Sequence, residues 1–169
     1  MLFILLLLST IISAQEYNKI VIDEKSEKLM LIGYTTREAF QDSSFSWWFN
    51  SGYDNYSLNK DTLDQLIPEI LRYDITIVMG TWCSDSRYEV PKFYKILDSA
   101  GYPAKKIKVI NVGRGMKDIT GEVKNLNIEF VPTFIFSENG MEKGRIVETP
   151  KGILEGDIRQ IIIKRETVY

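Results

Sequence analysis

The sequence predicts an α/β domain with a mixed central sheet flanked by helices and an added amino-terminal segment. Three observations carry that expectation. Strand-like runs alternate with helix-period segments from Asn59 onward, Asn139-Gly140 marks a hairpin between two apolar runs, and the chain closes on an amphipathic stretch. With 169 residues, 44% of them hydrophobic, there is enough apolar material for one domain with a real core.

From the amino end, Lys19–Asp23 alternates weakly as a strand, Lys28–Ile32 is a second short apolar run, and Gly33 is expected to break it. Between Tyr34 and Tyr56 come eight aromatic residues mixed with Ser, Asp, Asn and Gly. Either a short helix and an ordered loop pack these rings onto the flank of the domain, or they form a surface of stacked rings for a substrate or partner. Asp61 is placed to cap a helix whose Leu63, Leu66, Ile67 and Ile70 share one face, with a perturbation at Pro68. Ile75–Met79, rich in β-branched residues and stopped by Gly80, fits a buried central strand.

After Ser84 the helical period returns with Val90, Phe93, Tyr94 and Leu97, and Gly101 with Pro103 ends it. Ile107–Val112 is the next strand, and the mixed stretch leading to Phe130 is expected to hold a short helix. Strand, helix, strand, helix and strand in succession imply a parallel core. Thr133–Phe136 and Lys143–Val147, on either side of Asn139-Gly140, add an antiparallel edge. Leu154, Ile158, Ile161 and Ile162 keep helical spacing to close the domain.

Composition removes whole classes of chemistry. There is no histidine, which excludes Ser-His-Asp and Cys-His catalysis and imidazole metal ligation. A single cysteine, Cys83, leaves no intrachain disulfide and no cysteine-rich metal site. Twenty-one Lys and Arg against 23 Asp and Glu give a net charge of −2, which does not suit a nucleic-acid partner. Lys105, Lys106 and Lys108 read as a solvated strand edge, and Gly113-Arg114-Gly115 as a plain loop, because the third glycine of a dinucleotide fingerprint falls on Asp118.

The amino end reads as a leader. Residues 2–8 are uninterruptedly apolar, the first charged side chain is Glu16, and Ser13-Ala14-Gln15 offers a cut after Ala14. The apolar stretch stops near Ile12, short of the roughly 20 residues that cross a bilayer, so no stable membrane anchor is expected. The expected location is the periplasm or cell envelope, where one unpaired thiol is not there as a structural staple.

Cys83 stands between the end of a buried strand and the start of a helix, among the polar residues Ser84, Asp85 and Ser86. First-turn amides lack internal partners, so a thiolate there is stabilised by them and by the helix dipole. Arg87 adds to this and Asp85 opposes it. An inert buried thiol is the alternative, but the polar flanks favour an exposed turn.

Trp82-Cys83-Ser84-Asp85-Ser86-Arg87, followed by Pro91, resembles the active-site turn of the thioredoxin superfamily and the proline in its helix. Val131-Pro132-Thr133, opening a strand ahead of Asn139-Gly140, is similar to that family's cis-proline loop and hairpin. The resemblance spans Leu63 to Lys164 and implies a thioredoxin-like fold over residues 59–169. Residues 15–58 then form an amino-terminal extension behind a leader of residues 1–14. It also implies that Pro132 and Val131 lie beside the reactive sulfur and pair with an extended substrate, with Trp82 as a further contact.

Three departures qualify the resemblance. Ser86 stands at the position of the second cysteine, Ile77 at that of the buried acid, and Glu148 at that of the glycine after the hairpin. A hydroxyl cannot expel a disulfide-bound partner, so the expected chemistry is that of a monothiol. Cys83 is the nucleophile, Ser86 and Arg87 lie in its turn, and no cofactor or metal takes part. The partners are protein or small-molecule thiols and disulfides, with an external thiol resolving the adduct. A non-catalytic binding module of the cell envelope is the alternative.

Overall fold

A computed structural model of the chain describes residues 16–117 and 119–163; residues 1–15, where a leader is expected, Asp118 and residues 164–169 lie outside the described residues. Among these residues the chain forms strands β1 (Lys19–Ile22), β2 (Leu29–Tyr34), β3 (Asp74–Met79), β4 (Ile107–Asn111), β5 (Thr133–Glu138) and β6 (Met141–Val147). The helices are α1 (Ser43–Asn55), α2 (Lys60–Ile70), α3 (Ser84–Ser99) and α4 (Leu154–Ile162). One six-stranded sheet runs in the order β1-β2-β4-β3-β5-β6. β3 and β4 pair in parallel across α3, while β5 and β6 are antiparallel, and the chain has a thioredoxin-like fold.

Period-two alternation sorts the sheet residues onto two faces. Ile75, Ile77 and Met79 of β3 join Val109, Phe134, Phe136 and Ile146 on one face, in a core with apolar residues of all four helices. Phe93 of α3 stacks on Phe134 of β5 with ring centroids 4.3 Å apart. The other face, with Val78 and Ile110, meets a smaller cluster formed with Val112, Val123 and Val131, and Trp82 and Cys83 border that cluster. The turn that carries Cys83 therefore borders the smaller of the two clusters. No helix among the described residues is long and apolar enough to cross a membrane.

The aromatic segment packs. Phe40, Phe45, Trp48 and Phe49 are buried, Phe40 stacks on Phe49 at 4.9 Å, and both meet Tyr94 of α3 edge-on. Gly52 of α1 lies so close to Pro91 of α3 that a Cβ would come within 3.0 Å of that ring. Arg37 donates to Asp98 at 2.9 Å and lies over the rings of Tyr53 and Tyr94, closing the seam between α1 and α3. Of the segment's tryptophans, Trp47 alone stays exposed.

Several sequence expectations change. Gly33 does not break β2: the strand continues to Tyr34, with Gly33 paired to Asn111 at a φ of 78° that glycine tolerates, and Ile119 fills the space a Cβ would need. The cap of α2 is Asn59, whose side chain accepts from Thr62 N–H at 3.0 Å; Asp61 instead sits in the first turn, where its charge suits the dipole. The core is not parallel throughout: among the described residues the stretch before β5 holds a 3-10 turn at Val123–Asn125 and no crossover helix, and β5 returns antiparallel to β3. Lys108 is solvated as expected: β4 lies between β2 and β3 in the strand order, but β2 pairs only with Ile110 and Asn111, and the exposed Lys108 pairs with Glu122 at 3.0 Å.

Phe93→Ala removes one ring of the stacked pair from a fully buried site. The expected loss of unfolding free energy is about 3–5 kcal/mol, read from urea unfolding with an unchanged slope.

Candidate functional site

β3 ends at Met79 and the chain turns at once into α3. Gly80 is required at this point, because a Cβ there would meet the Trp82 indole at 2.5 Å. The Cys83 N–H donates to Gly80 O at 2.9 Å, and Arg87 N–H donates to Cys83 O at 3.1 Å, so Cys83 is the N-cap of α3 with extended backbone angles. No N-cap side chain satisfies the first-turn amides of α3. The thiol is partly exposed.

Antiparallel pairing brings the second loop to the first. Thr133, the first residue of β5, pairs with Val78 near the end of β3, so the residues before β5 fall beside those after β3. The Val131-Pro132 bond is cis. Cys83 Sγ lies 3.2 Å from Val131 O, the thiol donating. Thr133 Oγ1 donates to Phe130 O at 2.7 Å and fixes the loop from within. Glu148 N–H donates to Pro132 O at 2.7 Å, and Glu148 takes a left-handed φ of 58° at the position where the resemblance implies glycine.

Parallel pairing brings in a third segment. β3 and β4 end side by side, with Met79 opposite Asn111, so the residues following β4 meet the turn following β3. Trp82 Nε1 donates to Val112 O at 2.8 Å. The Arg114 guanidinium lies over the Trp82 ring at 4.9 Å and donates to both carboxylate oxygens of Asp23 at 2.8–3.0 Å. Asp23 is buried at the end of the β1–β2 hairpin. Hydrogen bonds from Arg114, and then from Ser26, hold its carboxyl well below the usual range. Arg114 is pushed up, foremost by the Asp23 hydrogen bond, with Cys83 among the smaller causes.

Cys83, Val131 and Pro132 thus come together, with Trp82 as a wall beside them. Ser86 is in the turn but faces inward, fully buried, its Oγ accepting from Gly80 N–H at 3.2 Å. Arg87 donates to Trp82 O at 3.0 Å, and its Nε is buried without a partner among the described residues. Ile77 is buried in the helix-side core. Arg114 and Asp23 were not singled out from the sequence. The parallel β3–β4 pair is the signal that would have found Arg114, since two strand ends in register put their following loops in contact. No sequence signal points to Asp23. A groove of about 950 Å³, lined in part by Tyr17, Tyr34, Thr76, Lys108, Glu122 and Ser137, lies away from Cys83.

No family model and no curated protein matches the chain. Solved structures similar to it include a protein of unknown function from Pseudomonas aeruginosa, at 17% identity over 68% of each chain with a TM-score of 0.44. Thioredoxin O2 from Arabidopsis thaliana is 18% identical over 61% of this chain and 85% of its own, with a TM-score of 0.41. A yeast mitochondrial 1-Cys peroxiredoxin is 15% identical over 67% of this chain and 98% of its own, with a TM-score of 0.40. None of these likenesses carries a function to this chain.

Two outcomes follow from the geometry. A depressed carboxyl contributes stability above its unfolded pKa and loses it as pH falls through the folded one. The stability gap between wild type and Asp23→Asn is therefore full at neutral pH and shrinks steadily below about pH 4, as denaturant midpoints at successive pH values will read. Glu148→Gly relieves a left-handed cost of about 1–2 kcal/mol and incurs about 0.5–1 kcal/mol of glycine entropy. A net gain of about 0–1.5 kcal/mol in thermal unfolding is expected.

Proposed function

We propose that the chain is a monothiol thiol–disulfide exchange protein that works outside the cytoplasm on protein or small-molecule thiols and disulfides. The observation that carries this reading is the placement of Cys83 Sγ, partly exposed at the amino end of α3 and 3.2 Å from the carbonyl that precedes cis Pro132. The apolar leader at residues 2–8 supports the location.

In the forward step the Cys83 thiolate attacks one sulfur of a partner disulfide. A Cys83–partner disulfide forms, the partner's S–S bond breaks, and the other partner sulfur leaves as a thiolate that takes up a proton. In the return step an external thiol attacks the partner's sulfur, forming a new disulfide with it and releasing Cys83 reduced. Cys83 is oxidised to the mixed disulfide in the forward step and reduced again in the return step, where the external thiol is the group oxidised, so the protein carries the adduct and supplies no net electrons. Unpaired first-turn amides favour the thiolate in both steps.

Each neighbour has a part. An extended partner lies along the Val131-Pro132 step, whose Pro132 carbonyl is already held by Glu148 N–H, and Trp82 forms the adjoining wall. Arg87 braces the turn through the Trp82 carbonyl. Ser86 Oγ fills the place beneath the turn and has no leaving or attacking sulfur to offer, so resolution comes from outside.

Adding a symmetrical aromatic disulfide to the purified protein should release one aromatic thiol per chain and leave one mass adduct that persists until an external thiol is supplied. Cys83→Ser should release none. Ser86→Cys should shorten the adduct's lifetime by providing an internal resolving sulfur. Absence of release from the wild type, or loss of its adduct without added thiol, contradicts the monothiol cycle; a binding module would retain its partner in the Cys83→Ser variant.

A further inference from the structure

The β1–β2 hairpin is joined to the Cys83 turn through one ion pair. Arg114 Nε lies 3.0 Å from both Asp23 oxygens and Arg114 Nη2 lies 2.8 Å from one of them. That fork-to-fork geometry fixes the plane of the guanidinium. The same plane lies over Trp82, whose indole is fixed at its other end by the Val112 carbonyl. Trp82 precedes Cys83 directly. Asp23 accepts a further hydrogen bond from Lys25 N–H at 3.4 Å, which holds the carboxylate in the hairpin turn.

The sulfur needs a fixed cation for a reason visible in its own surroundings. As a thiol, Cys83 donates to Val131 O; as a thiolate it faces a carbonyl oxygen that repels it. Asp85 in the first turn of α3 adds negative charge. Arg87 has an Nη2 hydrogen bond to the Trp82 carbonyl. A cation held on the indole of the residue that precedes Cys83 offsets the carbonyl and the carboxylate.

We propose that Arg114 and Asp23 are positioning residues for Cys83: Asp23 seats the Arg114 guanidinium on Trp82, and this fixed positive charge makes the neighbouring sulfur more reactive as an anion. The role deepens the thiol-exchange reading and rests on it. It also gives the amino-terminal hairpin a task in the site, since the carboxylate that orients the cation comes from outside the segment carrying the motif resemblance.

The sign of one variant separates positioning from mere charge. Removing the Asp23 charge makes the surroundings of Cys83 more positive, so a simple sum of charges predicts faster alkylation. Positioning predicts the reverse, because Arg114 is no longer held over Trp82. The experiment measures alkylation of Cys83 by iodoacetamide at pH 7 in the full chain. Arg114→Gln should slow it about two- to fivefold, the range of a partly exposed charge interaction. Arg114→Lys should recover part of that loss, which a merely structural role would not give. Asp23→Asn should also be slower than wild type, and it carries the test if Arg114→Gln does not fold.

Alkylation of Arg114→Gln at the wild-type rate overturns the proposal, as does faster alkylation of Asp23→Asn. Failure of the wider reading looks different. A wild-type protein that releases no aromatic thiol from the disulfide overturns exchange, whereas one that exchanges while Arg114→Gln is alkylated normally overturns only the positioning role.

Discussion

A distance of 3.2 Å between Cys83 Sγ and Val131 O is held by segments far apart in the chain, and the rest of the site depends on it. Two strand pairings set that distance. β5 is antiparallel to β3 with Thr133 against Val78, so the Pro132 loop must lie next to whatever follows β3. β4 is parallel to β3 with Asn111 against Met79, so the loop carrying Arg114 must lie there too. The sheet thus delivers three loops to one end of β3, and the start of α3 adds its unpaired amides to the same point. Stacked Phe93 and Phe134, beneath the sheet, hold α3 to β5 and keep the turn and the proline loop in register.

The extension is built into this arrangement. Phe40, Phe45 and Phe49 share a core with Phe93 and Ile77, and β2 pairs with β4. Its ring-rich sequence reflects packing against α3, where Arg37 and Asp98 satisfy each other within an aromatic seam. Glu155, fully buried in α4, accepts from Tyr56 Oη at 2.6 Å and from Asn59 N–H at 3.0 Å, and so ties the link between α1 and α2 to the last helix. A hydrogen-bonded buried carboxylate of this kind fixes one arrangement of the elements, because any other would leave it unsatisfied. Through Asp23 and Arg114 the same segment reaches the Trp82-Cys83 turn.

What the sequence made legible was local. The run Ile75–Met79, the helical stripe from Val90 to Leu97, and Asn139 and Gly140 at φ 53° and 77° follow from side-chain period and turn chemistry within a few residues. The segment around Cys83 and the Val131-Pro132 step were named by resemblance rather than by period, and the sheet brings the two together. What stayed hidden depended on distant partners. Gly33 looks like a stop until β4 pairs with it and Ile119 packs on it. Asp61 looks like a cap until Asn59 takes the Thr62 amide. Arg114 looks like a loop residue until Asp23 and Trp82 meet it from either side.

If the fold makes the sulfur reactive, reactivity must depend on the fold. The most direct measurement is the rate at which Cys83, the single thiol of the chain, reacts with a small disulfide in the native protein and in the same protein unfolded in urea at one pH. Faster reaction is expected in the native state, because the first-turn amides of α3 no longer converge on Cys83 once the chain unfolds. An equal or faster reaction in the unfolded chain would contradict it and leave Cys83 as an ordinary thiol on a thioredoxin-like scaffold.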